Sequence, residues 1–142
     1  MSVLLPDWPP GTVTFLATGG DGGPHVIPVS AVLRAGDARI VLALAPRRES
    51  LRRLRAEPRV ALVVLAAGNV ALTAEGRAEV VGEPLPGAEN VVGVELAVER
   101  VQEHGNRHFE ITDGVQWHWS DEESEARDVA VRSALAALAS RP

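Results

Sequence analysis

Short runs of alternating apolar and polar residues, separated by glycine- and proline-rich turns, fill most of the chain and predict strands rather than long helices. Thr12 to Thr18 is short, β-branched and apolar, which suits a strand. Gly19 to Pro24 then supplies the positive φ angles of a turn. A second strand is expected from His25 to Arg34, a turn at Ala35-Gly36-Asp37, and a third strand from Ala38 to Leu44. The alternation breaks between Arg47 and Glu57. There Leu51 and Leu54 share one helical face amid arginines, Pro46 suits a first helical turn, and Pro58 cannot continue one, so the segment reads as a helix.

Val60 to Leu65 is apolar on both faces, as a central and doubly covered strand would be. Beyond Gly68-Asn69, Val70, Leu72, Ala74, Ala78 and Val80 point one way, while Thr73, Glu75, Arg77 and Glu79 point the other. Gly76 falls on the inward face, where a tight bend or a close neighbour favours a missing side chain. Gly82 to Asn90 is a loop. Val91 to Val101 fits either period, and its β-branched content selects a strand. Phe109 to Thr112 and Val115 to Trp119 bracket Asp113-Gly114, a strong hairpin signal. Both faces of that hairpin would be partly apolar, with Val115, Trp117 and Trp119 on one and Phe109 and Ile111 on the other. A partner subunit, the terminal helix or a stacked flat ligand would each cover the second face. Ser120 and Glu123 form a capping box for a last helix to about Ser140, with Val131, Leu135 and Leu138 on its buried stripe.

These elements describe a mainly β protein of about six to seven antiparallel strands, with one inserted helix and a C-terminal helix. Evenly spaced short strands point to a closed barrel or sandwich, and the short connections disfavour a βαβ fold. A length of 142 residues fits one domain, with a barrel over residues 12–120 and a terminal helix over 121–140.

Composition removes several chemistries. The chain has no cysteine, so disulfides, thiolate catalysis and cysteine-bound zinc are excluded. All 14 basic residues are arginine; without lysine no Schiff base forms, which rules out aldimine-type pyridoxal phosphate catalysis. The net charge of −5 disfavours general nucleic-acid binding. Val60 to Ala67, the longest strongly apolar stretch, is far below a membrane span, and no basic segment with an apolar run opens the sequence, so a cytoplasmic protein is expected. His104 and His108 are separated by Gly105 and Asn106 and do not make a helical metal pair, so no metal site is expected. Gly19 to Gly23 lacks the Gly-Lys-Ser/Thr ending of a phosphate loop, and Asp21, His25 and Ser30 lack a nucleophile elbow.

One local feature stands against the overall charge. Six arginines lie between Arg47 and Arg59 against Glu49 and Glu57, a local excess of +4. Arg48, Arg52 and Arg55 would share a flank of the helix, and the free N–H groups of its first turn would add to the same field. The cluster either holds a phosphate-like anion or forms a solvated face whose arginines pair with carboxylates elsewhere.

Four stretches carry a family resemblance by their order and spacing: Pro24 to Ser30, Ile40 to Ala45, Arg48 to Leu54 and Glu57 to Leu62. Together they resemble the FMN-binding split-barrel family, the pyridoxamine 5′-phosphate oxidase-like proteins. The shared pattern is a Pro-Val strand, an aliphatic strand, a Ser-x-Lys-x-x-x-Leu helix start and an Asn/Asp-Pro-Arg-Val strand entry. The resemblance implies a split barrel, a homodimer with flavin sites at the subunit interface, and a flavin-dependent oxidoreductase acting on a small-molecule substrate. Carried over, the FMN phosphate would be met by Arg47, Arg48 and Ser50, with Arg52 or Arg53 in support. The flavin ring would run beside Ile27, Pro28, Val29 and Ser30, and His25 opens that strand as a further candidate contact. Aligned on Leu54, Ser50 stands where the family has its phosphate lysine, and Arg48 where it has serine. Arginine can grip phosphate through two parallel hydrogen bonds. The exchange also fits a barrel that has lost its flavin and acts as a non-enzymatic binding protein, and some relatives use the deazaflavin F420. Pyridoxamine phosphate oxidase activity itself is not expected, since no second arginine set for a substrate phosphate is evident near the C-terminal end. No catalytic acid or base stands out.

Overall fold

The computed structural model describes residues 3–142. In chain order its elements are β1 (Thr14–Thr18), β2 (His25–Val29), β3 (Val32–Arg34), β4 (Arg39–Leu44), α1 (Glu49–Ala56), β5 (Arg59–Ala66), β6 (Val70–Gly82), β7 (Val92–Glu103) and α2 (Glu122–Ala139). The strands form one seven-stranded antiparallel sheet in the order β2-β1-β5-β6-β7-β4-β3. Its two edge strands, β2 and β3, are joined by only Ser30 and Ala31. The three Cα–Cα steps from Val29 to Val32 span no more than about 11 Å, so the sheet must curl until its edges come together. No ladder joins those edges, and the resulting barrel is split along that seam.

The expected second strand, His25 to Arg34, is therefore two strands. Val29 still pairs with Thr14 on one side of the seam, while Val32 pairs with Leu42 on the other. Pro28, which has no N–H for a second ladder, suits the edge position of β2.

Inside the barrel, Leu16, Ile27, Val29, Ile40, Leu62 and Val94 belong to one apolar core, and Leu51 and Leu54 of α1 close one end of it. The α2 helix packs on the outer face of β3 and β4, where Val131, Ala134, Leu135 and Leu138 meet Val41, Ala43, Leu85 and Ala88. Arg39 fixes the far end of that helix: its guanidinium donates to Leu138 O at 3.0 Å, Arg141 O at 2.9 Å and Glu95 Oε2 at 2.8 Å. The doubly covered strand is thus β4, not β5. The outward residues of β5, Ala61, Val63 and Leu65, are half-buried or exposed because no helix crosses that side.

Gly76 is required by a neighbour. A Cβ there would lie 1.9 Å from Ala97 O, beside the bulge at Glu75/Gly76 in the β6–β7 ladder.

Residues 109–119 form no hairpin. Asn69 takes the segment instead: its Oδ1 accepts from Ile111 N at 3.0 Å, and its Nδ2 donates to Phe109 O at 3.3 Å. Gly114 does not adopt the positive φ that a tight type I′ turn needs. Trp117 Nε1 donates to Gly11 O at 2.8 Å, so the segment is laid across the barrel by long-range bonds. The cap of α2 also moves by one residue. Asp121, with extended φ and ψ, accepts from Ser124 N at 2.7 Å and Ser124 Oγ at 3.0 Å, in place of the Ser120/Glu123 box. Among the described residues, no helix is long and apolar enough to cross a membrane.

Candidate functional site

The split seam opens a cleft of about 320 Å³. Pro28, Val29 and Ser30 form one wall, the end of β4 forms the floor, and Arg48 stands at one end. Four of the residues singled out in the sequence therefore meet at one place, although Arg48 lies 18 residues from Ser30. The reason is topological. The seam and the β4–α1 connection lie on the same side of the barrel, because β3 and β4 are paired neighbours.

The alternation of β2 sorts its side chains. Ile27 and Val29 point into the core, and Pro28 points outward. Ile27 is thus a core residue that does not line the cleft, and Val29 reaches it only at the seam. The Ser30 carbonyl accepts from Arg132 Nη1 at 3.1 Å, and Arg132 Nε holds Asp128 at 2.7 Å, which ties the seam to α2.

Most of the arginine cluster is already engaged. Arg53 Nη1 donates to Gly19 O at 3.1 Å and Gly23 O at 2.6 Å, so this largely buried side chain holds the β1–β2 turn. Arg52 and Arg53 both clasp Glu49. Hydrogen bonds from Arg52 and then Arg53 pull the Glu49 carboxyl down to about 2, and the same contact raises Arg52. Arg55 pairs with Glu83, and Arg59 pairs with Glu99 at 3.3 Å. Ser50 is fully buried, with Oγ 3.4 Å from His25 Nδ1. That contact docks α1 against β2 and leaves both residues outside the cleft.

Arg47 and Arg48 are exposed, and neither takes part in an ion pair among the described residues. Arg48 occupies the position before α1 in extended conformation, and no side chain caps the helix there. Leu51 N is taken by Arg48 O at 3.1 Å, which leaves the N–H groups of Glu49 and Ser50 and the Arg48 guanidinium for an anion. Arg48 also lines a second groove with Arg47, Arg52 and Arg55.

The opposite wall of the cleft carries Trp119, which the sequence offered as a surface for a partner, a helix or a flat ligand, and three residues that sequence reasoning missed: Asn90, Ser124 and Arg127. Arg127 reads in sequence as an ordinary helix-surface partner of Glu123, four residues before it. Asn90 sits in a loop with no motif. The signal that unites them is the packing of α2 on β4, which no local pattern encodes.

A family model described as pyridoxamine 5′-phosphate oxidase matches residues 9–110. No curated protein matches the chain. Among solved structures, an F420 reductase shares 18% identity at TM-score 0.57, with 66% of this chain and 91% of the other aligned. A proposed pyridoxamine 5′-phosphate oxidase of Lactobacillus delbrueckii shares 21% identity at TM-score 0.56, covering 64% of this chain and 84% of its own. A FAD-binding protein of Mesorhizobium loti shares 22% identity at TM-score 0.53, covering 63% and 83%. These likenesses concern the fold.

Proposed function

The chain belongs to the pyridoxamine 5′-phosphate oxidase family, and from that premise we propose that it is a flavin-binding redox protein, an FMN-dependent oxidoreductase acting on a small molecule. The observation that carries this reading is the meeting of an unpaired guanidinium, Arg48, with the Pro28–Ser30 strand in one cleft. The residues present fit such a group. Arg48 and the uncapped start of α1 suit a phosphate dianion, while Pro28, Ala43 and Leu44 offer an apolar surface for a flat ring. Bound FMN would supply the hydride and electron chemistry. The protein's own part is to grip the phosphate with Arg48, supported by Arg47 from the adjoining groove, to seat the ring edge beside Pro28, Val29 and Ser30, and to exclude water. The names of an F420 reductase and a FAD-binding protein among the structural neighbours support this class, and F420 is the alternative cofactor.

The functional unit is a homodimer. The outward faces of β2, β1 and β5 leave Val26, Phe15 and Leu65 exposed, and the register sets Phe15 between Pro28 and Val63, and Ala17 between Val26 and Ala61. A contiguous apolar sheet face of this kind marks an interaction surface. Pro28 belongs both to that face and to the cleft, so a second copy seated on the face would border the cofactor.

A second reading has its own observation. Burial of Ser50 and the pairing of Arg52, Arg53, Arg55 and Arg59 leave few free cations, which suits a barrel that binds no flavin and works through protein contacts. The visible spectrum of the purified protein and titrations with FMN and F420 decide between them. Flavin binding weakened by about tenfold or more in Arg48→Ala, as expected for a lost charge-assisted contact, supports the first reading. Absence of binding to either cofactor supports the second. Sedimentation as a monomer at micromolar concentration would remove the dimer.

A further inference from the structure

Apart from Asn90 and Val91, the far wall of the cleft comes from a part of the chain that the family model does not reach. Trp119, Ser124, Arg127, Asp128 and Val131 all lie beyond residue 110. The common family core therefore supplies the wall proposed for the cofactor, and this chain's own α2 supplies the wall opposite.

The chemistry of that second wall is specific. Trp119 is half-exposed and presents its ring to the cleft. Trp117 stands edge-on against it, with ring centroids 5.4 Å apart at 90°, and is itself tied to Gly11 O. That T-shaped contact restrains the Trp119 ring. Next to it lies Arg127, whose sole ion-pair partner among the described residues is Glu123 at 3.2 Å, a carboxylate that is largely in water. Such exposed pairs are weak and yield readily to a competing anion. The carboxylate that lines the cleft, Asp128, is bound to Arg132 at 2.7 Å and does not cancel Arg127. Val131 and Val91 add apolar surface to this wall, and Asn90 lies on it too.

We infer that this α2 wall is a substrate site for a flat, apolar monocarboxylate, with Arg127 holding the carboxylate and Trp119 covering the ring. A flat body can lie against Trp119, opposite the Pro28–Ser30 wall that would seat the flavin ring, and a single negative charge matches the guanidinium of Arg127. The inference rests on the flavin reading for the word substrate, whereas the binding site itself does not need the cofactor. Arg48 and Arg127 divide the work: one serves the cofactor phosphate, the other the acid.

Isothermal titration of the whole protein with benzoate tests the site, with benzamide and inorganic phosphate as the neutral and non-aromatic probes. Benzoate is expected to bind, both other probes to bind more weakly, and Arg127→Gln to weaken benzoate by about tenfold. Trp119→Leu should weaken it as well, while circular dichroism of both variants stays that of the parent. FMN affinity should change less than twofold in Arg127→Gln. No benzoate binding, equal binding of benzamide or phosphate, or benzoate binding unaffected by Arg127→Gln overturns the inference. A matching loss of FMN affinity in Arg127→Gln overturns it too, because Arg127 would then belong to the cofactor. Benzoate binding with no flavin binding leaves this site standing and removes the redox reading; the converse removes this site alone.

Discussion

Arg53→Ala should destabilise the protein, while its neighbour Arg48→Ala should not. Only 12% of the Arg53 side chain is exposed, and its guanidinium bonds Gly19 O at 3.1 Å, Gly23 O at 2.6 Å and Glu49 Oε2 at 3.0 Å. Hydrogen bonds to a charged group contribute about 1.5–3 kcal/mol each when the partners are shielded. Water can reach the turn carbonyls once the side chain is gone, which returns part of that. The net loss should be about 2–3 kcal/mol. In a chain of this length each kcal/mol lowers Tm by about 3–5 °C, so a fall of about 10 °C is expected. Arg48 makes no ion pair, and its removal should stay within about 0.5 kcal/mol. Thermal melts followed by circular dichroism, with urea unfolding for the free energies, give both numbers. The reasoning fails if Arg53→Ala melts with the parent. It fails differently if Arg48→Ala is as costly as Arg53→Ala, for then the whole cluster is structural and none of it is reserved for a ligand.

Two further outcomes test the scaffold. Gly76→Ala forces a methyl group against Ala97 O and should cost about 2–4 kcal/mol, whereas Gly19→Ala, with no atom within 4 Å of the added carbon, should be near neutral; urea midpoints compare them. Glu49 titrates from 4.5 when unfolded to about 2 when folded, so the stability it contributes is complete above pH 4.5 and is lost as pH falls toward 2. Unfolding curves across that range should show a shallower acid slope for Glu49→Gln than for the parent, and equal slopes would refute the assignment.

The strand pattern carried most of the fold because the alternation of apolar residues is a local property. Val70 to Val80 shows it plainly, and Gly76 was legible as a place without room for a side chain. The helix at Leu51 and Leu54 was equally plain. Failures came where long-range contacts decide. His25 to Arg34 is continuous in apolar pattern, yet the barrel seam cuts it at Ser30, a consequence of which strands close the sheet. Asp113-Gly114 carries the local chemistry of a turn, but the Asn69 side chain and the Gly11 carbonyl claim its flanks. The site divides in the same way. Arg48 and Pro28 to Ser30 were visible as motifs, while Arg127 and Asn90 needed the docking of α2 to acquire a meaning. The arginine count misled in one respect: it could not tell that Glu49 sits where it engages two of them.

The seam links these results. Ser30 and Ala31 join β2 to β3 and thereby set where the barrel fails to close. A closed ladder would bury those backbone groups in pairs; an open seam leaves them for other partners. Two are already used: Ala31 O accepts from Ala43 N at 3.1 Å, and the Ser30 carbonyl accepts from Arg132 and so binds α2 to the opening. The same bond positions Arg127, five residues earlier on that helix, at the rim of the cleft. Cutting the bond should therefore act at a distance. Arg132→Met keeps the length and apolar bulk of the side chain but lacks the donor, so it should leave the barrel's ladders intact while loosening α2. Hydrogen exchange would show this as faster exchange across Glu122–Ala139 with β5 and β6 unchanged. Uniform acceleration throughout the chain would mean instead that helix and barrel unfold as one unit, and that the seam is no hinge between them.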